Sequence, residues 1–156
     1  MAEPGFYFWE NDVKRALEFA KEIKKCKDPF VIGGILNLGY CLDLTCRENA
    51  ELLKYIYDNF VKELYEKGEI SPNKSSSKGR TNEINLRFLD CAVLKTLNKF
   101  NHDIPTKKEF DSVRAGFWEG EELYPNAGFR EKNHIQLCIR NPDCILGLFV
   151  PPGYSF

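Results

Sequence analysis

The sequence predicts an α+β fold, with short strands at both ends around a helical middle. Three observations predict it. Aromatic and β-branched runs bounded by turn residues lie at residues 5–9, 30–38, 113–118, 134–140 and 144–150. Apolar residues recur at helical spacing in three stretches between the first run and the third. No segment repeats another. At 156 residues the chain is large enough for one domain with its own core, and 43% hydrophobic with 29% charged residues is ordinary for a globular protein.

Residues 5–9 are aromatic and follow Pro4-Gly5, so they read as a short buried strand. Asn11 or Asp12 caps the helix that comes next. Val13, Ala16, Leu17, Ala20 and Ile23 form its apolar stripe, with Lys and Glu opposite, and Asp28-Pro29 ends it. Phe30 to Leu38 reads as a strand in which Gly33-Gly34 marks a bulge or a close backbone approach. Gly39 to Asp43 reads as a turn. Thr45-Cys46-Arg47-Glu48 has the spacing of a capping box. It starts a helix whose core face is Ala50, Leu53, Tyr57, Phe60 and Leu64, ending at Gly68.

Residues 69–82, rich in Ser, Lys and Gly, are the best candidate for a mobile loop. A third helix is expected from about Glu83 to Phe100, with Leu86, Leu89, Val93, Leu97 and Phe100 on one side and Phe88, Cys91 and Ala92 beside them. So wide an apolar arc belongs to a well-buried helix. Val113 to Trp118 then reads as a strand. Glu119 to Lys132 is a polar loop, and His134 to Arg140 a strand of alternating type. Asn141-Pro142-Asp143 makes a tight turn into a returning strand, Cys144 to Val150.

A formal net charge of −1, from 22 basic and 23 acidic side chains, provides no general basic field and argues against nucleic acid as a purely electrostatic ligand. No apolar run approaches the roughly 20 residues that span a bilayer, and no leader opens the chain, so a membrane partner is not expected and the protein reads as cytoplasmic. The six cysteines form no C-x-x-C pair and only two histidines exist, which argues against a bound metal. Reduced, mostly buried thiols are expected.

Two stretches carry candidate chemistry. In Gly5-Phe6-Tyr7-Phe8, the Gly allows close backbone approach and the Tyr offers a flat ring with a polar tip, suited to stacking on a heteroaromatic. A plain buried aromatic strand would look the same. In the strand from His134, alternation puts His134, Gln136 and Cys138 on one face and turns Ile135, Leu137 and Ile139 to the other, into the core. A solvent-facing polar side of a half-exposed strand would share that pattern. The loop before it holds Glu119, Glu121, Glu122, Arg130 and Lys132, most of which read as solvated charges.

Gly5-Phe6-Tyr7-Phe8 with its helix resembles the second conserved segment of ADP-ribosyltransferases of the diphtheria-toxin and poly-ADP-ribose polymerase type. His134-Ile135-Gln136-Leu137-Cys138-Ile139-Arg140-Asn141-Pro142-Asp143 with its returning strand resembles their third. The resemblance implies a split β-sheet that binds NAD as a substrate, with a His-Tyr-Glu set on three strands. By position Gly5 and Tyr7 match the segment whose Tyr stacks on nicotinamide, Phe19 the second ring of the sandwich, and Gln136 the catalytic Glu. His134 falls where members keep a substrate-selecting residue. The loop Glu119 to Lys132 falls where a macromolecular acceptor is met, with Arg130 and Lys132 as its contacts. Trp9-Glu10-Asn11, Gly39 to Asp43 and Gly128 to Gln136 are also similar to stretches of uncharacterised bacterial proteins that look like distant members of the group.

The chain departs from the family pattern in two places. Gln136 can hydrogen-bond a ribose hydroxyl but cannot carry the negative charge that stabilises an oxocarbenium ion, which puts Glu119, Glu121 or Glu122 of the loop forward to supply it, Glu119 first. The family's first segment, a strand bearing His or Arg, would precede Gly5, where only Met1 to Pro4 stand. An edge left by such an absence could be covered by a partner chain, which makes a homo-oligomer an expected possibility. The functional expectation is an NAD-dependent ADP-ribosyltransferase. The alternative is a non-catalytic member of the same fold, serving as a nucleotide-binding or protein-interaction module.

Overall fold

Alternation in the C-terminal third produces the strands that organise the molecule. The computed structural model describes residues 4–75 and 86–154. In it β4 (Ser112–Phe117) and β5 (His134–Ile139) pair antiparallel, from Ser112 opposite Ile139 to Phe117 opposite His134. On the far side of β5 lies β1 (Phe6–Trp9), also antiparallel. On the far side of β4 lies β3 (Cys41–Asp43), parallel. The order β1-β5-β4-β3 makes one sheet. A second sheet pairs β2 (Gly33–Leu36) with β6 (Ile145–Phe149) antiparallel. The expected α+β class with strands at both ends is therefore present, in two separate sheets.

Register decides what each face meets. Tyr7, Cys138, Val113 and Leu42 form one row across the sheet. Leu42, Val113 and Cys138 of this row are buried with Ile56, Val61, Val93, Leu94 and Leu97 of the helices, and Tyr7 packs against them. The next row, Phe8, Leu137, Arg114 and Asp43, points the other way. There the second sheet comes so close that a Cβ at Gly34 would stand 2.7 Å from the Phe8 ring. The expected close approach at Gly33-Gly34 is present, while the register shift of this strand lies further on, between Ile35 and Leu36. Residues Gln136 to Ile139 are thus buried from both faces. The main helical core lies on the Gln136 and Cys138 side, whereas sequence alternation placed it on the other.

The helices begin where expected more often than they keep their expected faces. Asp12 caps α1 (Val13–Glu18) by accepting the Arg15 N–H at 2.8 Å. The helix then widens into a π-helical turn, Phe19–Ile23. A second π turn, Tyr57–Val61, links α2 (Arg47–Ile56) to α3 (Lys62–Glu66). Each π turn inserts extra residues and rotates the remainder of the helix, so a stripe read at 3.6 residues per turn drifts off the core. Ile23 ends 53% exposed and Phe60 44%, while Ile56 and Val61 are fully buried. The helix does end at Gly68, in the left-handed conformation at φ 78°.

Three expectations are corrected. The stretch Gly39 to Asp43 contains β3, too short to announce itself, which forms by borrowing the parallel edge of β4. The capping box is not made: Cys46 precedes the helix, and the Thr45 amide and hydroxyl instead donate to Asp43 at 2.9 and 2.6 Å. The third helix, α4, runs Phe88–His102, starting later than Glu83. Its start is set at long range, because Asn73 Oδ1 accepts the N–H groups of Leu89 and Asp90 while Leu86 bridges to Lys74. Of the expected mobile loop 69–82, residues 76–82 lie outside the described residues, as do 83–85. All six cysteines are free thiols; Cys91, Cys138 and Cys144 are buried, Cys41 is half-buried, and Cys26 and Cys46 are exposed. Among the described residues no helix is long and apolar enough to cross a membrane.

Asp111 locks the β2–β3 connection to the end of β5. Its carboxylate accepts the Tyr40 N–H at 2.8 Å, the Asn141 amide at 2.9 Å and the Lys108 ammonium at 2.9 Å. Gly39 has φ 58°, and a Cβ there would lie 2.6 Å from that carboxylate. The Tyr40, Asn141 and Lys108 contacts, in that order, hold the Asp111 pKa at about 2 against an ordinary 3.8. A depressed folded pKa contributes stability that is full above the unfolded value and lost as pH falls through the folded one. Urea unfolding should therefore lose about 2 kcal/mol between pH 5 and pH 2 from this group. Asp111→Asn should remove that part of the slope; an unchanged slope would show that other carboxylates set the acid limb.

Candidate functional site

A cleft of about 1070 Å³ opens between the two sheets, along β1 and α1. Its wall is aromatic, with Phe8, Trp9, Phe19, Phe30 and Phe149 among the lining residues. The Trp9 and Phe19 rings meet at 4.9 Å, tilted by 46°. The polar part of the lining is an ion group carried by the Phe8–Leu137–Arg114–Asp43 row. Arg114 Nε donates to Glu10 Oε2 at 2.7 Å and Nη2 to Glu10 Oε1 at 3.1 Å, a two-pronged contact. Nη1 of the same guanidinium donates to Asp43 Oδ2 at 3.1 Å and to the Thr45 hydroxyl at 3.1 Å.

These contacts set the charge of the site. The Arg114 hydrogen bonds hold Glu10 below the ordinary carboxylate range, against its burial. For Asp43 burial is the largest influence and pushes upward, but hydrogen bonds from Thr45 and Arg114 together outweigh it and its pKa is lowered too. Arg114 is held protonated, chiefly by Glu10. Two ionised carboxylates on one guanidinium leave this part of the cleft with one net negative charge.

The residues singled out from the sequence fall into three places. Phe19 lines the cleft, whereas Tyr7, though its strand borders the cleft, belongs to the row that faces the helical core and packs there, contrary to the expected stacking role. Gln136 is in the sheet, 7% exposed, in the row between Trp9 and Ala115, and is not among the cleft-lining residues. Gly5 sits against β5: a Cβ there would stand 2.7 Å from both Cys138 Sγ and the Ile139 carbonyl oxygen, so its close approach is to protein backbone.

Glu119, His134 and Lys132 gather elsewhere, beside α1. Arg15 Nη2 donates to Glu119 Oε2 at 2.5 Å, with both side chains nearly buried. Lys132 Nζ lies 3.2 Å from Glu22 and 4.0 Å from Glu18. His134 Nδ1 donates to the Lys132 carbonyl at 2.8 Å, which fixes the neutral tautomer, and its ring stacks on Phe117 at 5.4 Å. Burial is the main cause that lowers the His134 pKa. Arg130 folds back on its own loop, donating to the Gly120 carbonyl at 3.3 Å. A smaller cavity of about 490 Å³ lies on the helical side, between β4, α2 and α4, and holds none of the residues singled out from the sequence.

Glu10, Asp43 and Arg114 were not read from the sequence as site residues. Their stretches at 9–11 and 39–43 carried the wider similarity, but nothing local marks Arg114, whose partners lie 104 and 71 positions away. The chain matches no protein-family model, no curated protein and no solved structure.

Removing the guanidinium while keeping bulk, in Arg114→Met, leaves two facing carboxylates unpaired. Because the three side chains are one-fifth to one-third exposed, water offsets part of the loss, and about 1–3 kcal/mol of stability should disappear at pH 7. Part of it should return near pH 4, where the carboxylates protonate. Denaturant unfolding at both pH values checks this; equal stability to the parent at pH 7 would mean that the group holds nothing in place.

Proposed function

We propose that the protein binds NAD in the cleft between its sheets and acts as an ADP-ribosyltransferase-like protein. The observation that carries this reading is the make-up of the cleft, where an aromatic wall stands beside a carboxylate pair that Arg114 neutralises only by half. Oxidised nicotinamide is flat and cationic, so it gains from ring stacking and from a net negative charge together. The resemblance assigns Tyr7 to the stacking and Phe19 to the second ring; in this fold Tyr7 turns to the helical core and Lys24 lies over Phe19, so we assign the stacking to Phe8, in the row of Arg114 and Asp43.

Chemistry in this cleft would proceed by loss of nicotinamide. The bond from ribose C1′ to the pyridinium nitrogen breaks, the electron pair goes to the ring, and positive charge develops on the ribose. Water or an acceptor nucleophile then bonds to C1′ and gives up its proton. A carboxylate helps by stabilising that charge where it develops. Gln136 lacks the charge and lies in the sheet, and Glu119 is taken up by Arg15. We assign the role to Glu10, the more exposed of the two cleft carboxylates held by Arg114. The acceptor in transfer is a macromolecule met at the loop before β5, where Trp118, Leu123, Tyr124 and Phe129 are each more than half exposed.

One observation favours the second reading, a nucleotide-binding module without catalysis. Both cleft carboxylates are already engaged by Arg114. Binding without turnover is what that engagement would give.

Calorimetric titration with NAD separates the outcomes. Phe8→Leu should weaken binding about five- to tenfold, the scale of one aromatic stacking contact. Glu10→Gln should keep binding but slow nicotinamide release about 100-fold. Neither heat nor a thermal shift at millimolar NAD would remove the proposal; binding with no nicotinamide release from the parent protein would leave the module.

A further inference from the structure

The end of α1 carries two backbone irregularities, and together they aim one cation at the cleft. The first is the π turn Phe19–Ile23, closed by the Lys24 N–H donating to the Phe19 carbonyl at 3.0 Å. In an α-helix residues five apart lie about 140° apart around the axis. In a π turn they stand nearly one above the other. Lys24 is therefore carried onto the Phe19 face, where it lines the cleft, with its Nζ 5.7 Å from the centre of the Phe19 ring. The second is Lys25, at φ 52°, in the left-handed region that a helix end usually reserves for glycine. A lysine held there is strained, and such strain persists only where the surroundings impose it. The same turn ejects Ile23, which would have completed the apolar stripe.

The charge of Lys24 is unmatched. The cleft is lined by two cations, Lys24 and Arg114, and by the acids Glu10, Asp12 and Asp43. Arg114 is bound by Glu10 and Asp43, and Asp12 caps α1. Among the described residues no carboxylate lies within ion-pair distance of Lys24. Lys21, Lys25 and Lys27 stand exposed around it. Asp12 starts α1, Glu10 lies just before it and Asp43 joins Glu10 on Arg114 from β3, whereas the Phe19 ring under Lys24 is seven residues beyond Asp12, about 10 Å along the helix. The cleft is thus negative at one end of α1 and positive at the other.

We propose that Lys24 is an anion-binding residue that takes the pyrophosphate of a dinucleotide, with the cationic ring at the Glu10–Arg114–Asp43 end. This rests on the NAD reading of the cleft and fixes which way round the ligand lies. The Lys24 side chain is exposed and makes no ion pair among the described residues, and the π-turn bond uses only its backbone N–H, so Lys24→Gln should fold and melt like the parent.

The test is titration of the parent protein, Lys24→Gln and Lys24→Arg with three probes: NAD, nicotinamide riboside and inorganic pyrophosphate. Lys24→Gln should bind NAD about tenfold more weakly at low salt, with a flatter salt dependence. Nicotinamide riboside, which has no phosphate, should bind both proteins alike, and Lys24→Arg should restore NAD binding. Equal NAD affinity in parent and Lys24→Gln would overturn this inference and leave the function proposal standing. An equal loss for NAD and for the riboside would also overturn it, because Lys24 would then only shape the wall. If the parent ignores NAD but pyrophosphate binds and the Lys24→Gln change abolishes that binding, the NAD proposal falls and the anion site stands. If neither ligand binds the parent, both fall.

Discussion

The guanidinium of Arg114 reaches across the sheet and holds three strands by their ends. It projects from β4, bonds Asp43 on the neighbouring β3, and meets Glu10 just past β1, two strands away on the other side. Its own row opposite is Leu137, so the charged head spans an apolar floor. Burying one cation against two carboxylates is tolerable only because every pair is hydrogen-bonded and the group keeps some contact with water. The consequence is geometric as much as electrostatic. The short β3, with three residues and one neighbour, depends on this tie and on the Thr45 contacts that continue it. The cleft then has a fixed charged floor, because the groups that make it also hold the sheet together.

That dual use explains what could be read from the chain and what could not. Strand positions were legible, since alternation and turn residues at 112–149 are local signals and β4, β5 and β6 appear within two residues of expectation. The aromatic strand and Asp12 cap were legible for the same reason. Helix faces were not, beyond the first turns. Reading at 3.6 residues per turn puts Ile23, Phe60 and Leu64 on core stripes, and the two π turns move all three outward. The capping motif at Thr45 failed because Asp43 and Arg114 compete for its hydroxyl. The start of α4 failed because its cap, Asn73, comes from a separate loop. In the site, Phe19 could be picked out, but Phe30 and Phe149, brought to the wall by the second sheet's packing, could not. The ion group could not, because three ordinary charges become a unit only through strand order.

The position of Gln136 comes from the two-sided burial of β5. Each residue of that strand must satisfy one of two packed faces, and the even-numbered side belongs to the helical core. Gln136 therefore sits between Trp9 and Ala115 as a buried amide, two rows from Cys138 on the same face. A carboxylate at the same place would be desolvated on the same terms and would need a partner. An amide holds that position without a charge to compensate, and the carboxylates that share Arg114 lie on the other face.

The loop before β5 acts on the cleft without entering it. Glu119 grips Arg15, and Lys132 reaches Glu18 and Glu22, so three contacts from the loop land on α1 and its π turn. The first is nearly buried and carries more weight than the others, which water screens. His134, fixed on the Lys132 carbonyl and stacked on Phe117, anchors the loop at the sheet end. Helix α1 is in turn the wall that presents Phe19 and Lys24. A change in the loop would therefore reach the cleft as a displacement of that wall, through Arg15 first. The charged loop and the aromatic strand, which look like two separate signals in the sequence, meet on opposite sides of one short helix.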